Sequence, residues 1–287
     1  MSKIREVEVD GGPYALAAGP DGAMWVTCAR TGQIARIAPG GELTMFDVGA
    51  DSRPQIIVAG PDGALWFTRG GDDRIGRITT DGVQSAVELG SGSAPFGLCV
   101  GPDRALWFTT MTAGTIGRLD PVDGRIDEHP VGGMPAMITA GPDGALWFTL
   151  NQRGAIGRLD LAGALTVREL PTRAAGPVGI TATHDDAVWF TEILADKIGR
   201  IPTDEAIQEL DLPGKPHAVL ADPTGGVWVS LWGADQIARV GADGEYDTID
   251  LPAGSEPHGL AIEDRGAAGT ALWVALEQGS VLRIPLS

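Results

Sequence analysis

The sequence is poor in cysteine, in basic residues and in long apolar runs. Only two cysteines occur in 287 residues, Cys28 and Cys99. They fall at different positions of non-adjacent repeats, which argues against a disulfide and fits a reducing cytoplasm. Small apolar filling is the simpler role for both thiols. The chain has 21 Lys and Arg against 38 Asp and Glu, a net charge of −17. Nucleic acids and anionic membranes need clustered basic side chains, so neither is expected as a partner. No run approaches the ~18 apolar residues of a membrane helix. The opening Met-Ser-Lys-Ile-Arg-Glu-Val-Glu-Val-Asp has no apolar core for a signal peptide. Sustained helical spacing with caps is missing too.

What the sequence does have is a repeat. Trp25, Trp66, Trp107, Trp147, Trp189, Trp228 and Trp273 recur at intervals of 39 to 45 residues. Each closes a short apolar run, such as Ala-Leu-Trp-Phe-Thr at 64–68, 105–109 and 145–149. A Gly-Pro-Asp-Gly turn precedes several of them. An Ile-Gly-Arg motif or variant follows, giving Arg36, Arg77, Arg118, Arg158, Arg200, Arg239 and Arg283. Seven equivalent arginines point to structural pairing with carboxylates rather than to a function. In the second copy the runs 54–59, 64–69, 74–79 and 83–89 read as four strands separated by Gly, Pro and Asp. Four strands per ~40 residues, seven times, predict an all-β, seven-bladed β-propeller. It is expected to form one domain over 1–287. The 42 glycines and 20 prolines fall in periodic turns, so they do not signal disorder. The last copy lacks a fourth strand, and the N-terminus supplies a spare one. Residues 3–9 should therefore pair with 280–286 and close the ring, removing an exposed edge. The wider spacing in copy seven is read as an extra loop at 263–269.

Two Pro-His pairs, Pro216-His217 and Pro257-His258, stand one repeat apart and hold two of the four histidines. The residue after the first-strand Pro can be followed through all copies: Tyr14, Gln55, Phe96, Ala136, Val178, His217 and His258. This column starts the first strand and shares a rim with the end of the second. The same rim receives Trp232, Glu256 and Glu277. His129 is placed in an outer strand and His184 in an opposite-rim turn. Two histidines in one column of neighbouring blades, beside two carboxylates, favour a site over isolated structural histidines. Glu256 and Glu277 are hard oxygen donors suited to one Mg²⁺ ion, with water or substrate filling its shell. Rim solvation is the bland alternative for both. His258, neutral near pH 7, is placed to take a proton. No Ser or Cys joins this cluster as a nucleophile, which points to proton abstraction and elimination rather than covalent hydrolysis.

At these residues the chain resembles the virginiamycin B lyase (streptogramin B lyase) family. The resemblance runs through all seven copies and is densest from Gly176 to Glu277. Gly-Pro-Val-Gly-Ile-Thr (176–181), Lys-Pro-His-Ala (215–218), Leu-Trp-Gly (231–233), Ser-Glu-Pro-His-Gly-Leu (255–260) and Leu-Trp-Val-Ala-Leu-Glu (272–277) carry it. It implies a monomeric propeller that opens a cyclic depsipeptide antibiotic by Mg²⁺-dependent elimination across a threonyl ester. It implies His258 as general base, Glu256 and Glu277 as metal ligands, and His217 as a substrate contact. Trp232 and Tyr14 match substrate-lining positions. The chain departs from the family where Arg69, Thr110 and Leu150 replace a Glu three past the Trp, leaving only Glu192. Gln55 and Ala136 on the rim are further departures. Two other readings stay open: a metal-dependent propeller lactonase or esterase acting by hydrolysis, and a non-enzymatic binding propeller.

Overall fold

The computed structural model describes residues 4–202, 205–266 and 269–286. Twenty-eight strands form seven four-stranded antiparallel sheets, with no α-helix among the described residues. This is the seven-bladed β-propeller that the repeat predicts. The blades span 13–47, 54–88, 95–130, 135–169, 177–211 and 216–250, and the seventh spans 257–286 with Arg5–Glu8 added. The chain divides into two compact units, Met1–Ala94 with Gly254–Ser287, and Pro95–Ala253. The first unit holds blades one, two and seven, and the second holds blades three to six. No helix is long and apolar enough to cross a membrane.

The strands of blade two are Pro54–Ala59, Leu65–Arg69, Arg74–Ile78 and Gln84–Glu88. The second strand, Leu-Trp-Phe-Thr-Arg, is buried over its first four residues, whereas the fourth is mostly exposed. A strand covered on both faces reads as an unbroken apolar run, and a half-covered one alternates.

The Arg column is structural. In blade one the turn residue Asp21 accepts from Trp25 Nε1 at 3.1 Å and from Arg36 Nε at 2.7 Å. Asp62, Asp103 and Asp143 repeat both bonds with Trp66 and Arg77, Trp107 and Arg118, and Trp147 and Arg158. Asp185, Asp222 and Glu263 pair with Arg200, Arg239 and Arg283. All seven pairs lie within single blades.

A second shared device shapes the rim. The residue before the first-strand Pro has positive φ in every blade: Gly12, Arg53, Ala94, Met134, Gly176, Lys215 and Glu256. The first and second strands then slip register between that Pro and the residue three further on. The slip is a β-bulge, a device that re-aims side chains at sheet ends. Tyr14, His217 and His258 all sit inside it. In blades one to six a second-strand hydroxyl fixes the bulge, as when Ala15 N donates to Thr27 Oγ1 at 3.0 Å; blade seven has Ala275 at that position. The same Oγ1 donates to Gln55 O of the next blade at 2.6 Å.

Arg5–Glu8 pairs antiparallel with Ser280–Leu286, from Arg5↔Arg283 to Glu8↔Ser280. Ser280 Oγ donates to Glu6 Oε1 at 2.7 Å. The expected closure of the last blade is borne out, although Lys3 lies outside the described residues. The extra loop of copy seven needs correction. Its first strand runs Pro257–Asp264, with Glu263↔Ala271 and Asp264↔Thr270 still in register. Glu263 and Asp264 extend a hairpin instead of forming a loop, because Glu263 replaces the turn Asp as the partner of Arg283. Both cysteines are free; Cys28 packs in a buried core cluster, and Cys99 is half-buried.

Candidate functional site

The first unit gathers Tyr14, Glu256, His258 and Glu277 where first strands start and second strands end. The bulge turns His258 inward until it is 8% exposed. Its Nε2 lies 2.9 Å from Glu277 Oε2. The Tyr14 ring stands 4.6 Å from the imidazole, centroid to centroid, tilted by 34°. Glu277 N donates to Glu256 O at 3.3 Å, so the two glutamates belong to adjoining strand ends. Glu256 adopts φ 48°, a left-handed conformation uncommon for a non-glycine residue, because the repeat requires it there.

Arg30, in the turn after the second strand of blade one, also reaches this cluster. Its Nη2 lies 2.9 Å from Glu277 Oε1. Nothing in the sequence reading anticipated this contact, which joins residues 247 positions apart. One signal was available. Five past each blade Trp, only this copy carries a cation; the others have Gly71, Thr112, Gln152, Leu194, Gly233 and Gln278.

The electrostatics set three protonation states. Burial pulls His258 below its ordinary value, and outweighs the opposing pull of Glu277 and Glu256. The ring is therefore neutral near pH 7. Burial pushes Glu277 up, but hydrogen bonds from Arg30 and His258, with the Arg30 charge, outweigh it and hold the carboxyl low and ionised. Burial, then the Glu277 charge, pushes Tyr14 up, so its phenol stays protonated. A neutral base, a phenol and an ionised carboxylate lie together, a set able to accept a proton and hold the resulting charge.

His217 and Trp232 belong to the second unit, in blade six. His217 occupies the bulge of Pro216–Ala221, and its carbonyl accepts from Thr191 Oγ1 at 2.7 Å. Trp232 follows the second strand, with its N donating to Lys215 O at 3.2 Å. The Lys215 ammonium lies over its ring at 5.3 Å. Glu192, in blade five, is fully buried, and burial followed by the charge of Glu209 pushes it up to about 7. His129 stands in the fourth strand Ile126–Pro130 and stacks on Trp107 at 5.8 Å. His184 lies exposed in a turn. Neither joins the site.

Among the described residues no three His, Cys, Asp or Glu side chains cluster as a ready-made metal cage. Two carboxylates at adjoining strand ends still fit Mg²⁺, which keeps most of its water and binds through one or two such groups. They do not fit a soft or tightly caged ion.

The virginiamycin B lyase family model matches residues 2–284. A virginiamycin B lyase of Mycolicibacterium smegmatis is 70% identical over 285 residues, covering 99% of this chain and all of that protein. A streptogramin B lyase structure superposes with a TM-score of 0.92 at 34% identity, covering 99% of this chain and 98% of the other. A catalytically inactive virginiamycin B lyase variant from Staphylococcus aureus, solved with quinupristin, gives the same TM-score and identity with 99% of both chains covered. The chain therefore belongs to the virginiamycin B lyase family and is a lyase.

Proposed function

We propose that the protein linearises a streptogramin B-type cyclic depsipeptide by elimination at its ester bond. The observation that carries this reading is the buried, neutral His258 lying 2.9 Å from an ionised Glu277. His258 takes the substrate proton while its Nε2 is held against Glu277 Oε2. That proton comes from the carbon α to the threonyl carbonyl. The electron pair forms the new carbon–carbon double bond, and the ester carboxylate leaves from the β-carbon. No water is added, so the open product is isomeric with the ring. The Nε2–H donates to Glu277 Oε2, and the carboxylate stabilises the imidazolium that forms when His258 is protonated. Tyr14 packs beside the ring and keeps water from it. His217 and Trp232 bind the depsipeptide, the indole through its flat apolar face.

Glu256 and Glu277 would hold one Mg²⁺. When bound, it supplies Lewis acidity toward the carbonyl next to the labile proton. The protein is read as a monomer acting in the cytoplasm without nucleic-acid or membrane partners, supported by its charge of −17 and its two free thiols. Replacing His258 by Ala should lower turnover of a streptogramin B by about 10²–10⁴-fold with the fold intact. An unchanged rate contradicts the base assignment. EDTA should stop turnover and added Mg²⁺ restore it; indifference to EDTA contradicts the metal assignment.

A further inference from the structure

Arg30 has no part in the proton transfer, yet its place is built. Its backbone N donates to Gly11 O at 2.9 Å, and Ala29 N donates to Gly12 O at 3.1 Å. Gly12 has φ 71°, and a Cβ there would stand 2.8 Å from Arg30 Cγ and 2.9 Å from Cδ. The aliphatic stem therefore crosses a position that only glycine leaves open. From that track Nη2 meets Glu277 Oε1 at 2.9 Å while His258 takes Oε2. Both oxygens of one carboxylate are engaged, one of them by a fixed positive charge.

We propose that Arg30 is a built-in rival cation that competes with the divalent ion for Glu277 Oε1. This rests on the metal assignment made above. A carboxylate oxygen directed at a guanidinium does not present the same lone pairs to Mg²⁺, which needs a close approach of about 2.0–2.1 Å. Two cations on one oxygen also repel each other. The Arg30 side chain is 57% exposed, so it swings off into water at small cost. The ion is consequently held more weakly than its carboxylates alone would hold it. When the ion departs, Arg30 returns and keeps Glu277 compensated and in place.

The test is calorimetric titration of MgCl₂ into the full-length protein after EDTA treatment and dialysis. Wild type, Arg30→Gln and Arg30→Lys are compared, with circular dichroism confirming the fold of each. Arg30→Gln should bind Mg²⁺ roughly two- to fivefold more tightly, the range that a half-exposed ion pair supports. Arg30→Lys, which keeps the charge, should return toward wild-type affinity. Binding to wild type that is unchanged or weakened in Arg30→Gln overturns the role of Arg30 alone. So does an Arg30→Lys affinity equal to that of Arg30→Gln. Absence of binding heat in all three proteins overturns the metal assignment, and this proposal with it.

Discussion

Glu192 and Glu277 both stand where a second strand ends, yet they titrate in opposite directions. Glu277 meets Arg30 and His258, whereas Glu192 is fully buried near the Glu209 carboxylate, with only Lys197 opposing. The folded value of Glu192, about 7, lies above that of an unfolded glutamate. The folded chain thus holds an extra proton between the two values. Its contribution to stability is full below pH ~4.5 and is lost as pH rises through about 7. Glu192→Gln should therefore melt above wild type at pH 8, with the gap closing toward pH 5. A gap that does not change with pH contradicts this account. Glu192 itself was legible in the sequence as the Glu of Trp-Phe-Thr-Glu. Its neighbour was not, because Glu209 sits two strands away in the strand Gln208–Asp211. The Arg30–Glu277 contact was hidden for the same reason. Each residue looks ordinary alone, and only strand order brings the two together.

A blade is held at its turn by one carboxylate with two donors. Burial pushes Asp62 up, but Trp66, Arg77 and the Ala64 amide together hold it below the ordinary carboxylate range. The same direction applies to Asp21, Asp103, Asp143, Asp185, Asp222 and Glu263. Each binds its proton less readily when folded. The stability they contribute is present above their unfolded value near 4 and is lost as pH falls through the lower folded values. Asp62→Asn should cost about 1–2 kcal/mol at pH 7, the scale of charged hydrogen bonds at a partly exposed site, read from a urea midpoint. That deficit should shrink near pH 3, where the wild-type carboxyl is protonating; an equal deficit at both values contradicts the ion-pair explanation. The Trp and Arg columns were legible because each blade repeats them at nearly fixed spacing. The seventh carboxylate was not. Glu263 stands ten residues before its Trp273, whereas Asp21 stands four before Trp25. The rim bulge was equally hidden, since Gly, Arg, Ala, Met, Lys and Glu all fill its left-handed position. The proline that follows is common to all seven blades, whereas the second-strand hydroxyl is present in six and replaced by Ala275 in the seventh.

At the scale of the whole chain, the N-terminal strand completes the last blade. Without it, Ser280–Leu286 would present an unpaired edge close to the segment that carries Glu277. Deleting residues 1–9 should lower the melting temperature and produce oligomers in size-exclusion chromatography. An unchanged elution profile with an unchanged melt contradicts that role. This closure could be read in the sequence by counting strands, because the last copy has three and the N-terminus one. Family membership makes the protein a lyase; the bond it breaks, and how, is the central claim. The most direct measurement is the mass of the product formed from a streptogramin B in H₂¹⁸O. Elimination through His258 predicts a linear product with the mass of the intact ring and no ¹⁸O. A product heavier by one labelled water would mean hydrolysis, and would contradict the account.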